Sequence, residues 1–395
     1  MSSEFDLRQR AIRLWLAGTR VTDICRQLNR GRDWFYTWHQ RYHDHGADGL
    51  RDRSRAPQTW PRQLSSEMRR AIVASRDRLV RRHGAHARYR LAGAPTIQHD
   101  LEVLGYTPLP SLRSIERVLQ QTRRTSPPLR LQPTCARIDY PGPRAHRSNA
   151  GHQCDLVGPR YLKGSHARYY FLVYKDAYDQ TPYVEFHRAP DPDVVLGFVV
   201  RAWQRLGLPR YLQVDNDLFF AGTGRWPAAL NRFIRLALLV GVEVVFIPEG
   251  EPWWNGSAEN FNGWFPARLL AIQLRGPAQV RRELQALMDI CYHEHIHPRL
   301  DFQTAAQVRR SFTGRVLPAH FKRHQQPLPI AIGKVTFIRK VRVSGRITIL
   351  GIKVTVGKRR HGHYVRATLY IRTQTLNVYF RGCLVKQLNY PIRGS

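Results

Sequence analysis

Hydrophobic positions recur at helical spacing through the first third of the chain. In DLRQRAIRLWLA, residues 6–17, Leu7, Ala11 and Leu14 or Trp15 fall on one face, and Gly18 supplies a stop. VTDICRQLN follows, with Thr22 as its expected N-cap and Ile24, Cys25 and Leu28 inward, before Arg30-Gly31 turns into DWFYTWHQRYHD. Three helices with a tight turn read as a helix-turn-helix or, on pattern alone, as a plain helical bundle. A second helical stretch covers about Leu64 to Gln121, its last helix opened by Ser111. The flanking segments RDRSRAPQTWPRQ and TRRTSPPLRLQPT are rich in Arg and Pro, as linkers are, and also suit a path along phosphates.

From Gly151 strands and helices alternate. HQCDLVG and RYYFLVYKDAYDQTPYVEFHR predict a hairpin or meander; DVVLGFVVRAWQRLG, RYLQVDND, WPAALNRFIRLALLVG and VEVVFIP continue as helix, strand, helix, strand. A mixed sheet covered by helices is expected. The tail from Pro327 reads as short alternating strands with Ser-Gly, Gly-Lys and Arg-Gly turns, and a small closed or partly open β-barrel would dispose of their edges. The expected order is a helix-turn-helix domain at 1–58, a second helical domain of helix-turn-helix or winged-helix type at 59–125, and a linker at 126–145. An α/β core at 146–312 and a small all-β domain at 327–392 complete it.

Charge narrows the class of partner. Against 29 Asp+Glu stand 63 Lys+Arg, a formal charge of +34 spread over 395 residues, which attracts polyanions and double-stranded DNA above all. No apolar run approaches the ~20 residues of a membrane span, and MSSEFDLRQR lacks the apolar stretch of a signal peptide, so an intracellular protein without membrane contact is expected. The five cysteines, at 25, 135, 154, 291 and 383, form no C-x-x-C pair and are read as reduced thiols.

Three acids stand out in so basic a chain. Asp155 lies in QCDLVG on the first core strand, Asp215 ends the strand YLQVDND, and Glu259 lies in PWWNGSAEN in the first turns of a helix. Each alone has an ordinary reading as a turn or helix-dipole residue. Together they bring two strand-borne carboxylates and one helix-borne carboxylate to one sheet edge. Carboxylates are hard ligands for Mg²⁺ or Mn²⁺, and two such ions about 3.5 to 4 Å apart serve in-line displacement at phosphorus. Trp253 and Trp254 are candidates for stacking on bases or for core packing, and the histidines of HEHIH (293, 295, 297) for phosphate contact or a helix surface.

The chain resembles bacterial insertion-sequence transposases with the retroviral-integrase type of catalytic core, the D-D-E class. The resemblance is carried by QCDLVG, VDND, LLVGVEVVFIPEGEPWWNGSAENFNGWF and CYHEHIHPRLDFQTAAQ. The Pro-x-x-Asn-Gly-x-x-Glu spacing of Pro252 to Glu259 is its most specific part, and HGADGLRDRSRAP lies upstream at 45–57. It implies an RNase H-like core, an SH3-like C-terminal barrel, and Asp155, Asp215 and Glu259 as catalytic ligands of two Mg²⁺ or Mn²⁺ ions. Asn216 would lie beside the site, with Asn255 and Gly256 shaping the turn before Glu259. It further implies inverted-repeat element ends and target DNA as partners, a dimer or tetramer on DNA, and a place in the bacterial cytoplasm with the nucleoid.

The expected DNA contacts are Arg30, Arg32, Trp34, Tyr36, Arg41, Arg51, Arg53 and Arg55 in the first domain and Arg113 and Arg117 in the second. Arg339, Lys340, Arg342, Lys358, Arg359 and Arg360 are those expected in the tail. Departures from the family pattern are Asp217 where Gly is usual, and Tyr292-His293 and His297-Pro298 where Tyr-Asn and Arg-Pro-His are usual. Pro266 predicts a kink or break near Phe265. Two other classes share these features: a non-catalytic regulator or target selector derived from such an enzyme, and a nuclease acting on RNA–DNA hybrids.

Overall fold

A computed structural model describes residues 4–52, 64–81, 84–125, 139–162, 164, 166–222, 227–321 and 328–393; the chain divides into two units, Met1–Gln63 and Leu64–Ser395. Arg53, Arg55, Cys135 and most of the expected linker lie outside the described residues.

In the first unit, α1 (Glu4–Leu16), α2 (Val21–Leu28) and α3 (Arg32–His45) bury Ala11, Ile24, Cys25, Leu28 and Phe35 together. Ile12, not Trp15, turns inward from α1. Thr22 falls inside the first turn of α2, whose N-cap is Arg20 without a side-chain bond. Arg8 is buried and acts as a tie: it donates to Leu50 O at 2.9 Å, pairs with Asp52 at 2.9 Å and lies 3.7 Å over the Trp38 ring. Gly49 is required by close approach, since a Cβ there would sit 2.0 Å from Arg41 O.

The second unit begins with α4 (Ser66–Val80), α5 (Gly84–Tyr89), α6 (Ala94–Val103) and α7 (Leu112–Gln121). Ser65 and Ser111 cap α4 and α7 by accepting from Met68 N at 3.1 Å and Ser114 N at 3.2 Å. Helix α5 has no clear hydrophobic period, and its role is docking. Tyr89 is fully buried and donates to Glu283 at 2.8 Å, Arg88 pairs with Glu283, and Arg268 donates to the carbonyls of Arg88 and Arg90 at 3.2 Å.

His295 completes that seam, its Nε2 lying 2.9 Å from Tyr89 O. Burial holds its imidazole down at about 3, so between pH 6.5 and about 3 the unfolded chain carries a proton that the folded chain refuses. Its contribution to stability is therefore complete above pH 6.5 and is lost as pH falls through that window. His295→Gln is expected to be less stable than wild type at neutral pH yet to lose less on acidification to about pH 4.5, as read from urea midpoints.

The sheet is built from β1 (Gly151–Arg160), β2 (Tyr169–Asp176), β3 (Pro182–His187), β4 (Tyr211–Val214) and β5 (Glu243–Phe246). Helix α8 (Pro192–Leu206) precedes β4; α9 (Leu218–Ala221) and α10 (Arg232–Leu239) precede β5. After β5 come α11 (Gly256–Asn262), α12 (Phe265–Leu270), α13 (Pro277–His293), the short β6 (Ile296–His297) and β7 (Gln303–Thr304), and α14 (Ala305–Arg309). Strands β1, β2 and β3 pair antiparallel, and β4 and β5 add to β1 in parallel, as the meander followed by strand-helix-strand pattern predicts.

The two faces of β2 show why both sides are covered. Leu172 and Tyr174 pack toward α8 and α10, while Phe171 and Val173 pack toward α12 and α13. The break expected at Pro266 is present: α11 ends at Asn262, and Pro266 sits in the first turn of α12, where its missing N–H costs nothing.

The tail departs from the separate small barrel. Strands β8 (Lys334–Lys340), β11 (Tyr364–Tyr370), β12 (Thr375–Phe380) and β13 (Cys383–Asn389) continue the same sheet, in the order β13-β12-β11-β8-β5-β4-β1-β2-β3. The sheet is open, with β13 and β3 at its edges, and β9 (Arg346–Ile349) pairs with β10 (Ile352–Thr355) beside it. The junction lies at β8, which is buried from Val335 to Arg339 and pairs in parallel with β5 along one edge and antiparallel with β11 along the other. Phe337 stacks on Phe246 of β5 at 5.1 Å. Among the described residues no helix is long and apolar enough to cross a membrane, and Cys25, Cys154, Cys291 and Cys383 are free thiols.

Candidate active site

Register brings the first two acids together. On the parallel pair β1 and β4, Gln153 is opposite Gln213, so two residues on, in mid-β1 and just past the end of β4, Asp155 and Asp215 come side by side on the same face. The two glutamines hold what lies above them. Gln153 Oε1 accepts from Ala258 N at 2.9 Å, and Gln213 Nε2 donates to Trp254 O at 2.8 Å. Asn255 donates to Cys154 O at 3.1 Å, and Lys175 Nζ to Ser257 O at 3.2 Å. Four side-chain bonds thus seat the first turn of α11 on β1, β2 and β4.

From that seat Glu259 is turned toward Asp155, and Asn262, one turn further on, donates to Asp155 Oδ2 at 2.6 Å. The other oxygen, Oδ1, accepts from Leu156 N at 2.9 Å. All three acids are partly buried. Burial first, then the charges of Asp215 and Glu259, push the Asp155 carboxyl up to about 7; burial likewise raises Asp215. Among the described residues no Lys, Arg or His forms an ion pair with any of the three, and no three His, Cys, Asp or Glu stand close enough together to hold a metal ion.

Several expected roles change in the structure. Asn255 does not cap α11 through its side chain, which is spent on the Cys154 carbonyl. Ser257 donates to Gln180 Oε1 at 2.8 Å. Gly256 has ordinary helical angles (φ −58, ψ −26) and open space around it, so the turn does not demand glycine. Asp217 is the N-cap of α9, accepting from Phe219 N at 3.0 Å. The two tryptophans divide: Trp253 is exposed, whereas Trp254 stacks on Tyr140 at 3.7 Å and against Tyr364. His295 is buried rather than on a helix surface.

Arg339 is a correction. Expected on DNA, it is 7% exposed and its guanidinium is consumed within the fold. It donates to Asn216 Oδ1 at 2.8 Å, to Ile247 O at 2.9 Å and to Thr348 O at 3.1 Å, and Asn216 Nδ2 donates to the same Ile247 carbonyl at 2.7 Å. The tail therefore braces the residue next to Asp215. It also braces the approach to Glu259, because Tyr364 and Trp254 both donate to Glu251. A groove of about 580 Å³ beside the acids is lined by Asp215, Asp217, Glu249, Glu251 and Arg339.

Of the other basic candidates, Arg32, Arg51, Arg113, Arg117, Lys340, Arg342, Lys358 and Arg359 are exposed, as is Tyr36. Lys340 and Arg342 face Glu251 and Glu249 at 3.5 and 3.3 Å. Arg30 pairs with Glu4, Arg41 donates to Arg51 O at 2.9 Å, Arg360 donates to Val356 O at 2.7 Å, and Trp34 packs on the helical core. Sequence reading missed Gln153, Gln213, Asn262 and Lys175. The available signals were the Gln-x-Asp repeat that contains both strand-borne acids and the i+3 step from Glu259 to Asn262.

Residues 8–70 match the family model described as winged helix-turn helix. Among solved structures, the simian T-cell lymphotropic virus intasome in complex with PP2A regulatory subunit B56 gamma contains a chain of 15% identity and TM-score 0.37. The match covers 68% of this chain and 84% of that one. The HTLV-2 integrase catalytic core domain in complex with magnesium, in dimeric and trimeric forms, gives 15% identity and TM-score 0.33 over 42% of this chain and 100% or 99% of those chains. This protein therefore carries an N-terminal segment similar to winged helix-turn-helix domains, followed by a large mixed sheet.

Proposed function

We propose that this protein is a D-D-E transposase that binds inverted-repeat element ends, cleaves DNA strands and joins them to target DNA. The observation that carries the reading is that Asp155 lies within reach of the charges of both Asp215 and Glu259, with no basic ion-pair partner among the described residues, in a chain of charge +34. Three partly buried carboxylates repel one another and an approaching phosphodiester, so a divalent cation is the counter-charge that such a cluster calls for. The donor set is all oxygen, which suits Mg²⁺ or Mn²⁺; Asp155, Asp215 and Glu259 are the residues that would hold two ions once drawn closer together than they stand here. Bound there, the cations supply activation of water or a 3′-hydroxyl and stabilisation of the leaving oxygen.

The chain's own groups do the positioning. Asn262 fixes the rotation of the Asp155 carboxylate, Gln153 and Gln213 set the height of α11, and Arg339 holds Asn216 beside Asp215. The exposed Arg and Lys neutralise phosphates, and a dimer or tetramer would pair two element ends. If many phosphates are contacted, affinity for duplex DNA should fall by about 10³-fold or more between 50 and 200 mM salt. A flat response in a fluorescence-anisotropy titration would remove the charge argument.

A second reading is a non-catalytic DNA-binding regulator derived from such an enzyme. It is favoured by one observation: both Asp155 oxygens already accept hydrogen bonds within the chain. The deciding experiment is strand transfer by the purified chain on duplexes bearing the element's own ends, with Mg²⁺ or Mn²⁺. Joined products establish the transposase; tight, end-specific binding with neither nicked nor joined products establishes the regulator.

A further inference from the structure

Helix α11 has two working sides. Glu259 and Asn262 serve Asp155, whereas Ser257, Asn260, Phe261 and Trp264, spaced i, i+3, i+4 and i+7, line a separate cavity of about 510 Å³. That volume falls in the range of small-ligand sites, roughly 300 to 1,000 Å³. Every titratable residue lining the cavity is a base or a thiol: Lys175, Cys291, His295, His297 and Arg299.

Lys175 is the unusual member. It is 5% exposed, its Nζ donates to Ser257 O at 3.2 Å, and it stands 5.2 Å over the Phe261 ring. An ammonium has three N–H donors, and among the described residues Lys175 makes no ion pair. The nearby carboxylates are committed elsewhere. Asp176 accepts from Asn149 N at 2.7 Å and Arg309 at 2.8 Å; Asp179 accepts from Ser148 and from Arg309, both at 2.6 Å. A buried cation without a counter-ion is costly unless a ligand supplies the anion, and burial pushes this ammonium down to about 8. At the mouth, Arg299 is exposed and oriented by donating one Nη2 to Ala177 O at 3.0 Å and Tyr178 O at 3.1 Å. Trp264 offers a partly exposed aromatic wall.

We infer that this cavity is a phosphate-ester site of one-nucleotide size, with Lys175 and Arg299 taking the phosphate and Trp264 flanking the attached base. It is separate from the carboxylate cluster and does not depend on strand transfer. Because Lys175 is bonded to the carbonyl of Ser257, two residues before Glu259, an occupant would pull on the helix that presents Glu259.

Equilibrium dialysis of thymidine 5′-monophosphate against the full chain, in chelator so that no metal site contributes, tests the inference. One saturable site per chain is expected, at least tenfold weaker in Lys175→Met and several-fold weaker in Arg299→Gln, with thymidine lacking the phosphate failing to bind. Lys175→Met removes a buried charge at nearly constant volume; Arg299→Gln alters an exposed side chain and gives an independent readout if the first variant melts early. Displacement of the nucleotide by a short single-stranded oligonucleotide assigns the phosphate to a DNA strand, and its persistence assigns a free nucleotide. Absence of saturable binding, or equal affinity in wild type and both variants, overturns the site.

Discussion

Asp155→Asn should abolish strand cleavage and joining while leaving DNA binding intact or tighter. The substitution keeps the size of the side chain and removes the charge that a divalent ion needs. Loss of several kcal/mol of transition-state stabilisation corresponds to a rate decrease of about 10³-fold or more. Glu259→Gln should behave alike, since both act on the same cluster, and the double variant should be little worse than either single one.

Binding moves the other way because the change removes a negative charge from a surface that must meet phosphodiesters. Stability supplies a third readout. In chelator at about pH 8, wild type holds partly buried carboxylates that repel one another, whereas the neutral amide of the Asp155→Asn variant would not add to that repulsion. The variant is therefore expected to melt higher than wild type without metal, with the order narrowed or reversed by excess Mg²⁺. Loss of DNA binding together with activity would contradict the role assigned to Asp155.

Arg339→Ala should be among the most destabilising single changes in the chain. It takes the arginine donor from Asn216 Oδ1 and Thr348 O and one of the two side-chain donors from Ile247 O, and opens a cavity between β8 and the strand-end loops. Each acceptor left short of its donor costs about 1 to 3 kcal/mol, and the lost packing of a nearly buried side chain adds to that. Urea unfolding would show this as a lower midpoint at unchanged slope. Arg339→Lys should recover only part of the loss, because an ammonium cannot span three acceptors in the plane of a guanidinium. Its activity should remain low even where the protein is folded, since Asn216 loses its fixed orientation beside Asp215. A DNA-contact arginine would behave differently: its loss would weaken binding and flatten the salt dependence while leaving the urea midpoint in place. The two measurements separate the buried brace from the surface contact that the basic tail first suggests.

The local rules of the chain were sufficient for much of this protein. Helical period, Ser111 before its helix, and the alternation after Gly151 depend on near neighbours, so α1 to α4, α6, α7 and the β1–β5 order were legible without coordinates. So were the placement of Asp155 on the first core strand and of Asp215 at a strand end, and the interruption at Pro266, which follows from a missing N–H.

Long-range partners were not legible. Alternation in VTFIRKVRV announces a strand but cannot say that β5 lies beside it, and that pairing turns an expected independent barrel into the far half of one sheet. The same pairing converts Arg339 from a surface charge into a buried brace. Lys175 and His295 are further cases, since a lone basic residue in sequence reads as solvent-facing until helices packed from elsewhere cover it. The sequence by itself determined the elements, the acids and the charge. Only the tertiary structure decided which bases are buried and what they hold, because burial is a property of elements brought together across hundreds of residues.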